Sequence, residues 1–107
     1  MSNKIMRLLV FFDWPVKTKE ERKQATDFRK FLIDDGYYMI QFSLYGRICG
    51  TIENAEQHEQ KLYYHLPKSG SIRCLTVTEK QYASIKVLLG NKHKKDRRIA
   101  DGQLSFF

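Results

Sequence analysis

The sequence predicts an α+β domain with the element order β-α-β-β-α-β, on three observations. The run Leu8-Leu9-Val10-Phe11-Phe12 is unbroken, apolar and rich in branched and aromatic residues, and it closes on Asp13-Trp14-Pro15. That pattern marks a buried strand stopped by proline. Helical spacing follows between a capping threonine and a terminating glycine, and the change of hydrophobic period from 2 to 3.6 then repeats. Finally, 107 residues hold one domain with a modest core.

Each element has its own signal. Thr18 and Glu21 form a T-x-x-E capping box, Ala25, Phe28 and Leu32 recur at helical spacing, and Gly36 stands at the C-cap after Asp34-Asp35. The stretch Tyr37 to Tyr45 reads as a second strand that breaks at Gly46, with Arg47-Ile48-Cys49 hairpinning back as a short third. A second helix is expected from Ile52 to Leu66, with Ala55, Glu59, Leu62 and Leu66 inward and Pro67 as its stop. Ser71 to Thr78 is a fourth strand, followed by a short helical stretch near Glu79–Ala83. Ile85 to Leu89 fits either a fifth strand or more helix.

This order is the split βαβ, or ferredoxin-like, arrangement, with two helices on one face of an antiparallel sheet. Along the first strand Leu8, Val10 and Phe12 point one way, and Leu9, Phe11 and Asp13 the other. Both sets are apolar except for the terminal aspartate, so the face away from the helices also expects cover. A second copy of the same sheet is the simplest cover, which predicts a homodimer through sheet faces. Residues 1–90 form the domain. Residues 91–107 form a basic arm, Asn91 to Arg98, and an apolar tail that provides an extra C-terminal strand.

The chain carries 19 Lys and Arg against 12 Asp and Glu, a formal net charge of +7. That surplus suits a polyanionic partner, because Lys and Arg release counterions condensed on phosphates. Cys49 and Cys74 have no CxxC spacing and are expected to be reduced and at least half-buried. Met1-Ser2-Asn3-Lys4 leads into a strand rather than a signal peptide, and no apolar run approaches the ~18 residues of a membrane span. The expected compartment is the cytoplasm.

Asp13 is the sharpest chemical candidate, a carboxylate at the exit of a buried strand. Mg²⁺ takes one or two carboxylates plus water and phosphate oxygens, so two Asp13 side chains meeting about a dimer axis would make a site for it or another divalent cation. The competing reading is an aspartate that caps a turn. On the first helix Lys19, Arg22, Lys23 and Lys30 lie away from the apolar stripe, with Lys17 just before it and Arg29 beside it. They offer phosphate contacts or a solvated face, and Glu20, Glu21 and Asp27 interrupt them. His58 and His65 are too far apart for the i, i+4 zinc pairing and read as surface or interface residues. Tyr37, Tyr38 and Tyr45 fit packing better than base stacking. No phosphate-binding glycine loop, nucleophile elbow or HEXXH motif occurs.

Leu8-Leu9-Val10-Phe11-Phe12-Asp13-Trp14-Pro15, then Phe28-Arg29-Lys30, Gly36-Tyr37 and Gln41-Phe42-Ser43-Leu44-Tyr45-Gly46-Arg47 together resemble the CRISPR-associated protein two family. Leu66 to Arg73 and Leu75 to Tyr82 look like the branch found in type II systems. The resemblance implies a ferredoxin-like homodimer that bridges two dimers of a larger adaptation integrase in a heterohexamer and binds duplex DNA during spacer acquisition. It also implies a Mg²⁺-dependent endonuclease on RNA or DNA, with Asp13 in the position of the family's metal-binding, catalytic aspartate. Trp14 stands where many relatives carry a smaller residue.

Three readings follow. The chain is a scaffold for integration, with Lys17, Lys19, Arg22, Lys23, Arg29, Lys30, Lys92, Lys94, Lys95, Arg97 and Arg98 on phosphates. Alternatively it is a phosphodiesterase that uses paired Asp13. The third reading is a stand-alone RNA-binding module, which would need a K/R-G-F/Y strand motif the chain lacks. In the tail, Leu104 and Phe106 alternate with Ser105 ahead of Phe107, a pattern suited to adding a strand to a partner.

Overall fold

The computed structural model describes residues 5–13 and 16–90. Strand β1 (Met6–Asp13) is followed by α1 (Lys19–Asp34), the hairpin β2 (Tyr38–Gln41) and β3 (Leu44–Gly50), α2 (Ile52–Tyr63), β4 (Ser71–Thr78) and the one-turn α3 (Glu79–Ala83). The sheet order is β2-β3-β1-β4, with β1 antiparallel to both neighbours. This is the expected β-α-β-β-α-β fold.

The local signals behave as their chemistry requires. Thr18 and Glu21 close the capping box of α1. At its far end Gly36 has φ 97°, the Gly36 N–H donates to Ile33 and the Tyr37 N–H to Leu32, a Schellman stop that needs glycine's left-handed freedom. Thr51 caps α2, and Thr78 with Gln81 forms a second capping box at α3.

Leu8, Val10 and Phe12 lie buried beneath the helices. They meet Phe28 and Leu32 of α1, Ala55 and Leu62 of α2, and Tyr37, Tyr45 and Cys49. Phe12 stands edge-on to Phe28 at 5.9 Å and tilted to Tyr45 at 5.5 Å. Tyr37 and Tyr45 are therefore core residues, as packing predicts.

Four expectations are corrected. The hairpin reverses at Phe42-Ser43, and Gly46 lies inside β3, opposite Leu9 and Tyr38. A Cβ at Gly46 would come within 3.0 Å of Ile40 and 3.2 Å of the Tyr38 hydroxyl, so the glycine makes room for side chains of neighbouring strands and not for a chain reversal. Helix α2 ends at Tyr63 rather than Leu66: Tyr64 and His65 already bond three residues back, to Lys61 and Leu62. That tightening fits a chain approaching Pro67, which disfavours helix in the residue before it. Ile85 to Leu89 is neither strand nor helix. Cys49 is buried, but Cys74 is exposed because β4 is an edge strand. No helix among the described residues is long and apolar enough to cross a membrane.

Candidate functional site

Asp13 ends the central strand, and both neighbouring elements close around it. On one side β4 begins, with Ser71 paired to Asp13 and Arg73 paired to Phe11. On the other, the Phe12 N–H donates to the Ser43 carbonyl at 3.0 Å, which brings in the β2–β3 turn. The result is a shallow depression of about 610 Å³ lined by Phe11, Phe12, Asp13, Ser43, Ser71, Arg73 and Cys74. Asp13 is exposed there.

Besides the Cys74 thiol, the ligand groups lining it are the Asp13 carboxylate and the Ser43 and Ser71 hydroxyls, hard oxygens that suit a magnesium-class cation. Among the described residues this depression holds one carboxylate, and no cluster of three or more His, Cys, Asp or Glu side chains gathers anywhere among them. Asp13 therefore fits a cation that completes its shell with water, phosphate oxygen and a second carboxylate. It does not fit a cage built by the described residues of one chain.

Strand parity places Phe11, Leu44, Ile48, Arg73 and Leu75 on the same face as Asp13, opposite the helices. Phe11 is 39% exposed, Ile48 52% and Leu75 53%. The face predicted to need cover is thus apolar and open in the single chain.

Of the basic residues read as phosphate ligands, Lys17, Lys19 and Lys30 are exposed near the start and along the outer side of α1. Lys23 is in an exposed i, i+4 pair with Asp27 at 2.9 Å. Arg22 donates to the carbonyls of Lys17 and Val16, at 3.0 and 3.4 Å, and so holds the approach to α1. Arg29 turns inward: its guanidinium lies 3.9 Å from the Phe42 ring centre and 5.0 Å from that of Phe12. Trp14, Lys92, Lys94, Lys95, Arg97, Arg98, Leu104, Phe106 and Phe107 lie outside the described residues.

Two polar clusters were not foreseen. At the opposite end of the open face Arg7 donates to both Glu79 oxygens and to the Tyr38 hydroxyl, and stacks 4.2 Å from the Tyr82 ring centre. The Glu79 hydrogen bond is the main reason the guanidinium holds its proton more tightly than usual, and burial together with the Tyr38 hydrogen bond pushes Tyr82 up to about 12. Between the helices, Asp35 binds His58 at 2.8 Å and Lys61 at 2.7 Å. Its burial alone would raise the carboxyl, but the bonds from Lys61 and His58 outweigh that and hold it below its ordinary range. His58 is therefore a half-buried link between helices rather than a surface residue, while His65 stacks on Phe31 at 3.8 Å. Ser43, Ser71 and Arg73 were legible only through the β1–β4 and β2–β3 pairings.

A family model described as CRISPR associated protein Cas2 matches residues 6–85. The chain belongs to the Cas2 family. Among Cas2 relatives, a protein of Acidovorax ebreus (strain TPSY) called CRISPR-associated endoribonuclease Cas2 is 50% identical over 102 residues, which cover 95% of this chain and 100% of that one. A protein of the same name from Ligilactobacillus salivarius (strain UCC118) is 46% identical over 96 residues, covering 90% and 95%. The crystal structure of Streptococcus pyogenes Cas2 at pH 6.5 superposes with a TM-score of 0.59 at 22% identity, over 77% of this chain and 98% of that one. That likeness supports the Cas2 fold.

Proposed function

We propose that this chain is a metal-dependent endonuclease subunit of CRISPR adaptation, acting as a homodimer through its open sheet faces. The observation that carries the reading is Asp13, exposed at the edge of an apolar face that a second copy would cover. Pairing those faces brings a second carboxylate toward the first, and the relatives' name supports RNA as the substrate. Asp13 of each protomer would hold the cation, preferably Mg²⁺. Bound there, a divalent cation lowers the pKa of water and offsets charge on a phosphodiester. Hydrolysis then adds water across one P–O bond and leaves a phosphate monoester and a hydroxyl. Two close carboxylates repel, so the pair favours a cation over an empty site.

The test is cleavage of single-stranded RNA and duplex DNA with Mg²⁺ or chelator. Asp13→Ala should lose activity about 100-fold or more, the usual scale for removing an essential catalytic group. Undiminished cleavage by that variant would end this reading. Leu75→Lys places a charge on the open face and should weaken self-association about ten-fold in sedimentation, because burying an unpaired ammonium is costly. Dimerisation at wild-type strength would remove the sheet-face dimer.

A second reading is a non-catalytic scaffold that binds duplex DNA and bridges integrase dimers. Exposed Lys17, Lys19 and Lys30 favour it. It predicts that Asp13→Ala integrates spacers normally.

A further inference from the structure

We infer that Arg73 is the phosphate-holding residue of the Asp13 site, a deduction that rests on the nuclease reading above. Among the five arginines in the described residues, Arg7 is bound by Glu79 and Tyr38, and Arg22 holds two backbone carbonyls. Arg29 lies against Phe12 and Phe42, and Arg47 donates to the carbonyls of Asp35 and Ile48. Each of these four guanidiniums has a structural role. Arg73 is exposed and has no hydrogen bond or ion pair among the described residues.

Its place in the sheet gives this guanidinium a direction. Asp13 pairs with Ser71 and Phe11 with Arg73, so Asp13 and Arg73 are diagonal neighbours on one face and line one depression. Diagonal residues stand roughly 7–8 Å apart, within the reach of a long side chain. No ion pair joins them among the described residues, so the arginine's charge is not neutralised by the aspartate. A phosphodiester needs both groups. Its anionic oxygens would be repelled by the carboxylate alone, and a planar guanidinium can take two of them at once. Arg73 supplies that attraction one strand away from the carboxylate that would hold the cation.

The experiment uses the full chain, a labelled single-stranded RNA and chelator, so that binding is read without cleavage. Arg73→Ala should weaken binding about ten-fold and lower the slope of log K against log salt by about 0.7, one phosphate contact on a single strand. Arg73→Lys should keep the slope and lose about three-fold in affinity, because the point charge remains and the two-pronged contact does not. Wild-type affinity and slope in Arg73→Ala, or no RNA binding by the wild type, would overturn the assignment. So would an Arg73→Ala chain that sediments as a monomer where the wild type is a dimer, since the arginine would then belong to the interface. Cleavage that persists in Asp13→Ala beside an intact Arg73 effect would remove the catalytic reading but leave the phosphate contact standing.

Discussion

The open face of the sheet has two polar ends, and they differ in one respect. At the start of β1, Arg7 is surrounded: Glu79, Tyr38 and Tyr82 satisfy it, the Glu79 N–H bonds to the Ile5 carbonyl, and α3 folds over the end. At the exit of β1, Asp13 and Arg73 lie exposed in one depression, with no ion pair to either among the described residues. The two ends share a strand, a face and a similar choice of residues. An occupied cluster fixes structure, because all three guanidinium nitrogens of Arg7 already donate to neighbours. An unsaturated one retains hydrogen-bonding and charge capacity for something outside the chain.

The contrast breaks first at Asp13. Its alanine variant should abolish cleavage while leaving the thermal midpoint within a degree or two, because an exposed carboxylate contributes little to stability. Arg7→Ala should do the reverse, costing about 2 kcal/mol in denaturant unfolding through lost charged hydrogen bonds and stacking, with cleavage unchanged. If Arg7→Ala also abolished cleavage in a protein of normal stability, the division between the two ends would be wrong.

Asp35→Asn tests a carboxylate already bound on both oxygens, by His58 and Lys61. Its cost at neutral pH should be about 1.5 kcal/mol, from weakened bonds to His58 and Lys61. A carboxyl held low in the folded state adds stability above its unfolded pKa and loses it as the pH falls through the folded value. The gap between wild type and Asp35→Asn should therefore close on acidification below about pH 4, as followed by urea unfolding across pH. A gap that widened there would contradict the assigned direction.

The smallest effect is expected at Tyr37. Its hydroxyl is buried with no hydrogen-bond partner among the described residues, and burial pushes its pKa well up. Tyr37→Phe removes an unsatisfied group and keeps the ring, so stability should hold or rise by about 0.5 kcal/mol. A loss above 1 kcal/mol would mean that the hydroxyl has a partner.

Much of this was legible along the chain. β1, the capping box of α1, the Gly36 stop and the fourth strand follow from near neighbours, and their signals are strong for that reason. The hairpin was misplaced because Phe42-Ser43 lacks the Gly, Pro, Asn or Asp that usually marks a reversal, while Gly46 suggested one. That glycine is required by Leu9, Tyr38 and Ile40, which only the assembled sheet brings to it. Asp13 was visible as the polar end of an apolar run. Arg73 was not, because nothing in its own strand relates it to a residue sixty positions earlier.

The sequence by itself determined the element order, the caps of α1, the positive charge and the aspartate that closes β1, since each depends on residues within a few positions of one another. Only the tertiary structure decided which charges are occupied and which are free. Arg7 meets Glu79 across 72 positions and Asp35 meets His58 across 23. Pairing of this kind depends on strand register and helix docking, where side chains far apart in the chain compete for the same partners.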